Sequence, residues 1–303
     1  MTTTLPAFPD FRPVCLSDRG LITAALHGLQ PETSELSFTN LFMFRHVHDY
    51  QFSTLNGSVL VLAKSYAGEA YFIPPIGGTD PAFAVEAMME YLRIRGRRPV
   101  MEIAPKGFVD EVVAPSGLYE FAPDPDNADY IYSTRELITL SGRKFHDKKN
   151  LLNRFVKTHP HEYRPLTKDL IPQARDLVTR WCQEKCSLEI PSTYGETEAT
   201  MLALDNIETL GIRGGVVVIN GKVEALALGE ELNRETVVVH VEKANSDYSG
   251  LYQYISSEFL AREFAGYPFV NREQDLGEPN LRKSKLSYNP VRMVEKYRVW
   301  PKG

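Results

Sequence analysis

An Asn-Gly dipeptide stands between two strand-like runs twice in this chain, at Asn56-Gly57 and at Asn220-Gly221. Two-residue hairpin loops need positive φ at both central residues, and Asn-Gly meets that requirement better than most pairs. The runs around the two dipeptides, residues 50–64 and 214–232, therefore predict two β-hairpins. Because one hairpin lies in each half of the chain, the sequence predicts two sheets.

The first half alternates strand and helix patterns. The stretch "TDPAFAVEAMMEYLRIRG" predicts a helix with Asp80 as its N-cap, Pro81 as its first residue and Gly96 at its end. Strands are predicted before it, at "AYFIPPIGG", and after it, at "RPVMEIAP", "YEFAPD" and "ADYIYS", and the last two are expected to close this half. The helix stripe predicted to be buried consists of Phe83, Ala87, Tyr91 and Ile94.

The second half repeats this order. After two helices and the hairpin come the strand "ETVVVHVEKA", a loop, a helix that ends at Gly266, the strand "YPFVNRE", a short helix that starts at Pro279 and the strand "RMVEKYRVW". The repeated order indicates an internal duplication. We predict an α+β fold with an N-terminal domain of residues 1–139 and a C-terminal domain of residues 140–303 that carries the site.

Composition limits the classes of partner. The chain has 303 residues and a formal net charge of −5, so a nucleic acid would have to bind at a local basic patch. The first residues lack the pattern of a signal peptide, and no apolar run approaches a membrane span. The three cysteines cannot form a fully paired framework and lack zinc spacing. These features favour a cytoplasmic protein without a metal site.

The strand "ETVVVHVEKAN" contains ionisable residues in an apolar run. Strict alternation places His240 and Glu242 on one face, together with Val238. Burial of such groups is costly unless they are paired. One interpretation is that neighbouring elements satisfy both side chains, and the other is that either residue takes a proton from an attacking amine.

The loop "NSDYSGLYQY" precedes a helix N-terminus. Backbone N–H groups and the positive end of the helix dipole can receive a phosphate there, and Gly250 would permit close approach. Ordinary helix capping explains the same residues equally well. The residues predicted to contact a donor are Ser246, Tyr248, Gly250 and Tyr252.

The helix "GRKFHDKKNLLNR" collects basic residues in an acidic chain. Lys144 and Lys148 lie four residues apart and would repel each other unless an anion is near. The alternatives are a solvated basic face and a phosphate-contacting patch that includes Lys149.

The stretch "VNREQDLGEPNLRKSK" is rich in charge at the end of an apolar strand. Alternation predicts that Asn271, Glu273 and Asp275 share a face, which favours an ammonium-binding site or a general base. The alternative is an interior ion network between this strand and the cationic helix that follows. The cations of this stretch, all candidates for substrate contacts, are Arg272, Arg282, Lys283 and Lys285.

Three blocks carry a family resemblance: "GRKFHDKKNLLNRF", "EKAN…YSGLYQYISSEF" and "VNREQDLGEPNLRKSKLSYNP". They resemble bacterial proteins related to the C-terminal domain of phosphatidylglycerol lysyltransferases, and the resemblance runs from about Asn40 to about Tyr297. It implies two tandem domains of the acyl-CoA N-acyltransferase fold and an aminoacyl-tRNA or acyl thioester as co-substrate. The lysyltransferases' membrane-spanning half and the Q/R-x-x-G-x-G/A pattern of CoA-binding proteins do not occur in this sequence.

Together, the residues and the resemblance predict an acyl- or aminoacyltransferase. No covalent intermediate is expected, because no Ser/His/Asp or Cys/His signature is readable. No tightly bound cofactor is expected either. Asp275 or Glu273 would anchor or deprotonate a small-molecule or peptide acceptor, with His240 and Glu242 as further candidates for the base, while Arg282 or Lys283 would contact the donor. The alternative function is a non-catalytic module of the same fold that binds a small ligand or a tRNA end.

Overall fold

The computed structural model describes residues 4–185 and 191–303 of the chain. Cys186 lies outside these residues. The described strands, in chain order, are β1 (Arg12–Pro13), β2 (Gln51–Leu55), β3 (Ser58–Lys64), β4 (Ala70–Phe72), β5 (Ile76–Gly77), β6 (Met101–Pro105), β7 (Tyr119–Pro123), β8 (Asp129–Ser133), β9 (Glu162–Pro165), β10 (Arg213–Ile219), β11 (Lys222–Glu231), β12 (Thr236–Ala244), β13 (Phe269–Asn271), β14 (Arg292–Val294) and β15 (Lys296–Pro301).

Helices connect these strands. In chain order they are α1 (Arg19–Leu29), α2 (Phe38–Met43), α3 (Pro81–Ile94), α4 (Lys106–Phe108), α5 (Ala114–Ser116), α6 (Thr134–Thr139), α7 (His146–Thr158), α8 (Ile171–Lys185), α9 (Pro191–Asp205), α10 (Ile207–Leu210), α11 (Leu251–Glu263) and α12 (Pro279–Leu286). The predicted Asp80 cap is confirmed, since its carboxylate accepts the Phe83 N–H at 3.0 Å. No helix within residues 4–185 and 191–303 is long and apolar enough to cross a membrane.

The chain forms two compact units. The first comprises residues 1–129, 274–278 and 294–303, and the second comprises residues 130–273 and 279–293. The first unit contains a mixed sheet in the order β1-β2-β3-β4-β6-β15-β7, with β5 paired to β3. The second contains a mixed sheet in the order β14-β8-β13-β12-β11-β10-β9. The predicted α+β class with mixed sheets is therefore confirmed.

Two strands join a different sheet from the one their position in the sequence suggests. We predicted that "ADYIYS" closes the first half, but β8 pairs with β13 in the second sheet. The last strand, β15, pairs with β6 and β7 in the first sheet. The units therefore differ from a simple division at residue 139, because a local pattern indicates a strand but does not select its distant partner.

Both predicted hairpins are present. In the first, Leu55 pairs with Ser58, and in the second, Ile219 pairs with Lys222. Positive φ occurs at Asn56 (48°) and Asn220 (50°), as it does at the glycine that follows each of them. These turns have the backbone that a two-residue hairpin requires, so each turn sets the pairing of the residues next to it.

A β-bulge interrupts the pairing of β11 with β12. Leu228 pairs with Val241 and Gly229 pairs with Val239, so His240 is the extra residue on β12. A bulge re-aims the side chains that follow it. Gly229 allows the strands to meet here, because a Cβ on Gly229 would lie 2.6 Å from the carbonyl oxygen of Val238 and 3.3 Å from the Phe259 ring.

We expect Gly229→Ala to lower the free energy of unfolding by about 1–3 kcal/mol, because the added methyl group overpacks the bulge. Urea denaturation followed by circular dichroism measures this loss. Gly266→Ala is the matched control, since a Cβ there meets no atom within 4 Å. Equal stability of the two variants would show that the bulge tolerates the methyl group.

Candidate functional site

In the second unit, β12 and β13 diverge. Their parallel pairing covers three positions and ends where Val238 pairs with Asn271. β12 continues to Ala244, while β13 ends at Asn271. Side chains bridge the two chain segments beyond this point: Glu273 meets His240, and Arg272 meets Glu242. We define these four residues, together with Glu230, as the ionic seam.

His240 lies between two carboxylates. Its Nδ1 is 2.9 Å from Oε1 of Glu273, and its Nε2 is 3.0 Å from Oε1 of Glu230 on β11. The imidazole side chain is 1% exposed, whereas the two glutamates are 17% and 18% exposed. An imidazole with an acceptor at each nitrogen is held best in its doubly protonated form.

The protonation state of His240 follows from these contacts. Burial lowers its pKa, but hydrogen bonds and charge attraction from Glu230 and Glu273 outweigh burial and raise the pKa to about 9. His240 is therefore an imidazolium at neutral pH. This opposes the predicted use of His240 as a base, because a protonated imidazole cannot accept a proton.

Glu242 and Arg272 form the second ion pair of the seam. The Arg272 guanidinium donates to Oε2 of Glu242 and lies 5.0 Å from the centre of the Tyr288 ring. Burial lowers the pKa of Arg272, but the charge of Glu242 outweighs burial and raises it. Arg272 is thus fixed by one carboxylate and by the aromatic ring of Tyr288.

The second oxygen of the Glu242 carboxylate differs from the one that Arg272 binds. Within the described part of the chain, Oε1 of Glu242 is buried without a donor, and the side chain is only 9% exposed. A buried acceptor without a donor loses its hydrogen bonds to water and gains none from the protein. This costs roughly 1–3 kcal/mol, and more for a charged group. A ligand that donates a hydrogen bond would remove this cost.

The bulge places His240 and Glu242 on opposite faces of the sheet, so the prediction that they share a face is wrong. Glu242 pairs with Ala227, whereas His240 contacts Glu230. Positions 227 and 230 face opposite sides of β11, because side chains alternate along a strand. Strict alternation on β12 fails at the extra residue, which sequence alone does not reveal.

The predicted shared face of Asn271, Glu273 and Asp275 is also wrong. Strand β13 ends at Asn271, and Glu273 has a φ of 57°, so the alternation stops. Asn271 is fully buried, and its side-chain oxygen accepts the Glu273 N–H at 2.7 Å. Asp275 belongs to the first unit, where its buried carboxylate accepts the Gly277 N–H at 2.9 Å. Only Glu273 of these three lies in the ionic seam.

Lys285 of the cationic helix α12 contacts the chain beside the ionic seam. Lys285 donates to the backbone carbonyl oxygens of Arg272 and Glu273, and the Tyr132 hydroxyl donates to the Lys285 carbonyl at 2.9 Å. Lys283 is exposed and Arg282 is half-buried. Through these contacts with backbone carbonyl oxygens, Lys285 of α12 holds the turn that follows β13.

The predicted basic patch divides into three environments. Lys144 forms an exposed ion pair with Glu136 at 2.8 Å. Lys148 lies 4.5 Å from the centre of the Tyr288 ring, and burial followed by the charge of Arg272 lowers its pKa. Lys149 lines an open cleft of about 450 Å³ at the start of α7, together with Arg143 and His146. Of the three predicted lysines, only Lys149 faces this cleft.

The predicted donor loop packs against protein. Gly250 has a φ of 97°, and a Cβ there would lie 2.2 Å from the carbonyl oxygen of Leu151 on α7. Gly250 therefore serves helix packing, which corrects the prediction that this glycine leaves room for a donor phosphate. Tyr248 meets His159 edge-on, and the Tyr252 hydroxyl accepts from Trp181 at 2.9 Å. Ser246 is exposed.

Sequence reasoning missed a half-buried partner, Glu230, and a fully buried one, Lys243, in this unit. Glu230 is an acidic residue in the apolar run "ALALGEEL", before the strand ends. That position in the run could have indicated a polar contact of Glu230. Lys243 is fully buried, with its amine 2.8 Å from Glu196 and 3.3 Å from the centre of the Trp181 ring. Burial lowers the pKa of Lys243, and Glu196 opposes that shift. This pair attaches α8 and α9 to the face of β12 opposite Glu242.

These features define a protein of the acyl-CoA N-acyltransferase-like fold in tandem, as the sequence predicted. The family model "Phosphatidylglycerol lysyltransferase, C-terminal" matches residues 27–300. The chain therefore belongs to that family, which confirms the resemblance drawn from its three sequence blocks.

Solved structures support the fold. A conserved protein of unknown function from Bacteroides thetaiotaomicron is 35% identical, with a TM-score of 0.89 over 96% of this chain and 99% of that one. L-PGS from Bacillus licheniformis is 14% identical, with a TM-score of 0.66 over 99% of this chain and 95% of that one, a likeness of fold alone. The uncharacterized protein MYCGA3080 of Mycoplasmoides gallisepticum is 24% identical over 57% of this chain and 56% of its own length.

The protonation of His240 is directly measurable. We expect its imidazole NMR signals, assigned by their loss in His240→Gln, to titrate with an apparent pKa of about 9. The folded-state pKa is raised, so the stability it contributes is full below the unfolded value of about 6.5 and is lost as pH rises through 9. The stability difference between the wild type and His240→Gln should therefore shrink by on the order of 3 kcal/mol over this range.

The variant Arg272→Lys is the control for the His240 titration. Arg272→Lys alters the other ion pair of the seam but leaves both glutamates beside His240, so the His240 titration should stay near its wild-type position. A titration of His240 at or below neutral pH in the wild type would contradict the described clamp of two carboxylates.

Proposed function

We propose that the second unit transfers an aminoacyl group from aminoacyl-tRNA to an amine or hydroxyl acceptor. The observation that carries this proposal is the buried Oε1 of Glu242, which has no hydrogen-bond partner in the described residues. An aminoacyl group brings an ammonium that can donate to this oxygen, whereas the acyl group of a simple acyl-CoA has no cationic donor. The family description supports the same choice, since it names lysyl transfer.

Two features disfavour CoA as the donor. The Q/R-x-x-G-x-G/A pattern is missing from the loop before α11. The glycine of that loop, Gly250, lies against the carbonyl oxygen of Leu151, so α7 occupies the space beside the helix N-terminus. An aminoacyl-tRNA does not need this loop. Its phosphates have a basic cleft available at Arg143, His146 and Lys149. An aminoacyl-tRNA donor also places the reaction in the cytoplasm.

In the proposed transfer step, Glu242 of the ionic seam holds the donor. The acceptor nitrogen or oxygen attacks the ester carbonyl carbon, a new C–N or C–O bond forms, and the ester bond to the ribose breaks. The proton lost by the acceptor ends on the leaving ribose hydroxyl, so the step is balanced. We assign to Glu242 the binding of the donor's ammonium, which positions the ester carbonyl carbon for this attack.

A transfer assay tests this proposal. Lysyl-tRNA serves as the donor, and a polyamine, a dipeptide and phosphatidylglycerol vesicles serve as acceptors. Glu242→Gln should lower kcat/KM by about 10- to 100-fold, because a charge-assisted hydrogen bond to the ammonium is lost. With Nα,Nε-diacetyl-lysyl-tRNA the same substitution should have little effect, since this donor offers no ammonium to lose.

Glu162→Gln is the matched control, because Glu162 is an exposed glutamate of the same unit and should leave kcat/KM unchanged. Turnover of acetyl-CoA with an amine, without use of lysyl-tRNA, would overturn the aminoacyl proposal and favour an acetyltransferase. Binding of tRNA without transfer to any acceptor would overturn catalysis and favour the non-catalytic module.

A further inference from the structure

The first unit contains a cavity of about 300 Å³ beside the start of α3. Its lining comes from residues 80–86 and from residues 112–119, which lead into β7. Val85, Val113 and Tyr119 form its buried side and belong to one apolar cluster of the core. Small-molecule sites occupy roughly 300–1,000 Å³, so this cavity suits a ligand the size of a single ring with a short side chain.

Two large apolar side chains of the lining are exposed. Phe83 is 46% exposed, although its place in the apolar stripe of α3 predicted a buried ring, and Leu118 is 55% exposed. Single exposed apolar residues are common on protein surfaces, but these two line the same cavity. A ligand with an apolar body would remove both side chains from water, which favours its binding.

The charged groups of the lining are carboxylates. Asp80 and Glu86 line the cavity, and among the residues that the structure describes, its lining contains no lysine, arginine or histidine. Oδ1 of Asp80 accepts the Phe83 N–H, while Glu86 is exposed and has neither a hydrogen bond nor an ion pair with another described residue. A spacing of three residues makes Asp80, Phe83 and Glu86 neighbours on the helix surface, so the aromatic residue stands between two carboxylates.

Tyr119 adds a hydroxyl group to the buried side of the cavity. Burial raises the pKa of Tyr119, and the charge of Glu86 adds to that shift. The hydroxyl is therefore neutral near pH 7 and lies within electrostatic reach of this carboxylate. A neutral phenol oxygen accepts a hydrogen bond, as a carboxylate does. The polar groups of the cavity thus suit a positively charged hydrogen-bond donor.

We propose that this cavity binds a small organic ammonium ion with an apolar body, such as an arylalkylamine. The apolar body fills the space beside Val85 and Val113, and the ammonium lies between the carboxylates of Asp80 and Glu86, where the ring of Phe83 also attracts a cation. Charge-assisted hydrogen bonds to the two acids select an amine over a neutral alcohol of the same shape. This ligand site is distinct from the ionic seam, which belongs to the second unit.

Amide NMR titrations of the full chain at pH 7 test this site. The probes are phenethylamine, 2-phenylethanol and phenylacetate, which share a ring and differ in charge. We expect phenethylamine to shift the amide signals of residues 80–86 and 112–119 in a saturable way. It should bind about threefold or more tightly than 2-phenylethanol, and phenylacetate should give no saturable shift there.

Two substitutions remove charge and keep the shape of the side chain. They are Glu86→Gln and Asp80→Asn, and asparagine caps a helix as well as aspartate does. Each should weaken phenethylamine binding by about three- to tenfold and leave 2-phenylethanol binding unchanged. Glu90→Gln is the matched control, because it removes the same charge from α3 at a residue outside the cavity lining. This variant should bind phenethylamine as the wild type does.

The comparison of amine with alcohol needs no variant, and equal affinity of the wild-type protein for both would overturn the proposal. The absence of saturable shifts in the first unit would overturn it as well. Phenethylamine shifts confined to residues 130–273 would also contradict it, because they would place the ammonium in the second unit. If Glu90→Gln weakened binding as much as Glu86→Gln, net charge rather than a site would explain the preference for the amine.

Discussion

The separation of β12 from β13 beyond Val238 and Asn271 determines the chemistry of the second unit. Where backbone pairing ends, ion pairs replace it: Glu273 with His240 on one face, and Arg272 with Glu242 on the other. Buried ion pairs persist only when their partners are well placed. The bulge at His240 provides that placement, because it turns the imidazole toward Glu230 and leaves Glu242 on the opposite face. Divergence and bulge together make a buried polar site inside an apolar sheet.

The carboxylates of Glu242 and Glu273 acquire different properties from their surroundings. Glu273 shares an imidazolium with Glu230, while Glu242 uses one oxygen for Arg272 and has no partner for the other within residues 4–185 and 191–303. Under the proposed function, the open oxygen of Glu242 accepts a hydrogen bond from the donor's ammonium.

Short-range sequence features predicted much of the fold. The two Asn-Gly turns, the Asp80 cap and the helix from Pro279 follow from short-range backbone rules, and each is present. The buried face of α3 does not follow in the same way. Its predicted stripe included Phe83 and Ile94, but these are 46% and 64% exposed. Apolar residues surround most of this helix, so the face that packs is selected by the sheet, which buries Val85, Met88 and Leu92 among others.

The site was predictable in its residue types but not in its arrangement. His240, Glu242, Arg272 and Glu273 stood out as charges in or beside apolar strands, and the structure unites them. Their faces depend on a bulge set by pairing with β11, and sequence periodicity cannot detect one extra residue.

The open oxygen of Glu242 is the central claim, and binding measures it most directly. Calorimetry with an amide-linked lysyl-adenosine analogue should give at least tenfold tighter binding than its Nα,Nε-diacetyl derivative, with the difference lost in Glu242→Gln. Equal binding of the two ligands to the wild-type protein would contradict an ammonium site at Glu242.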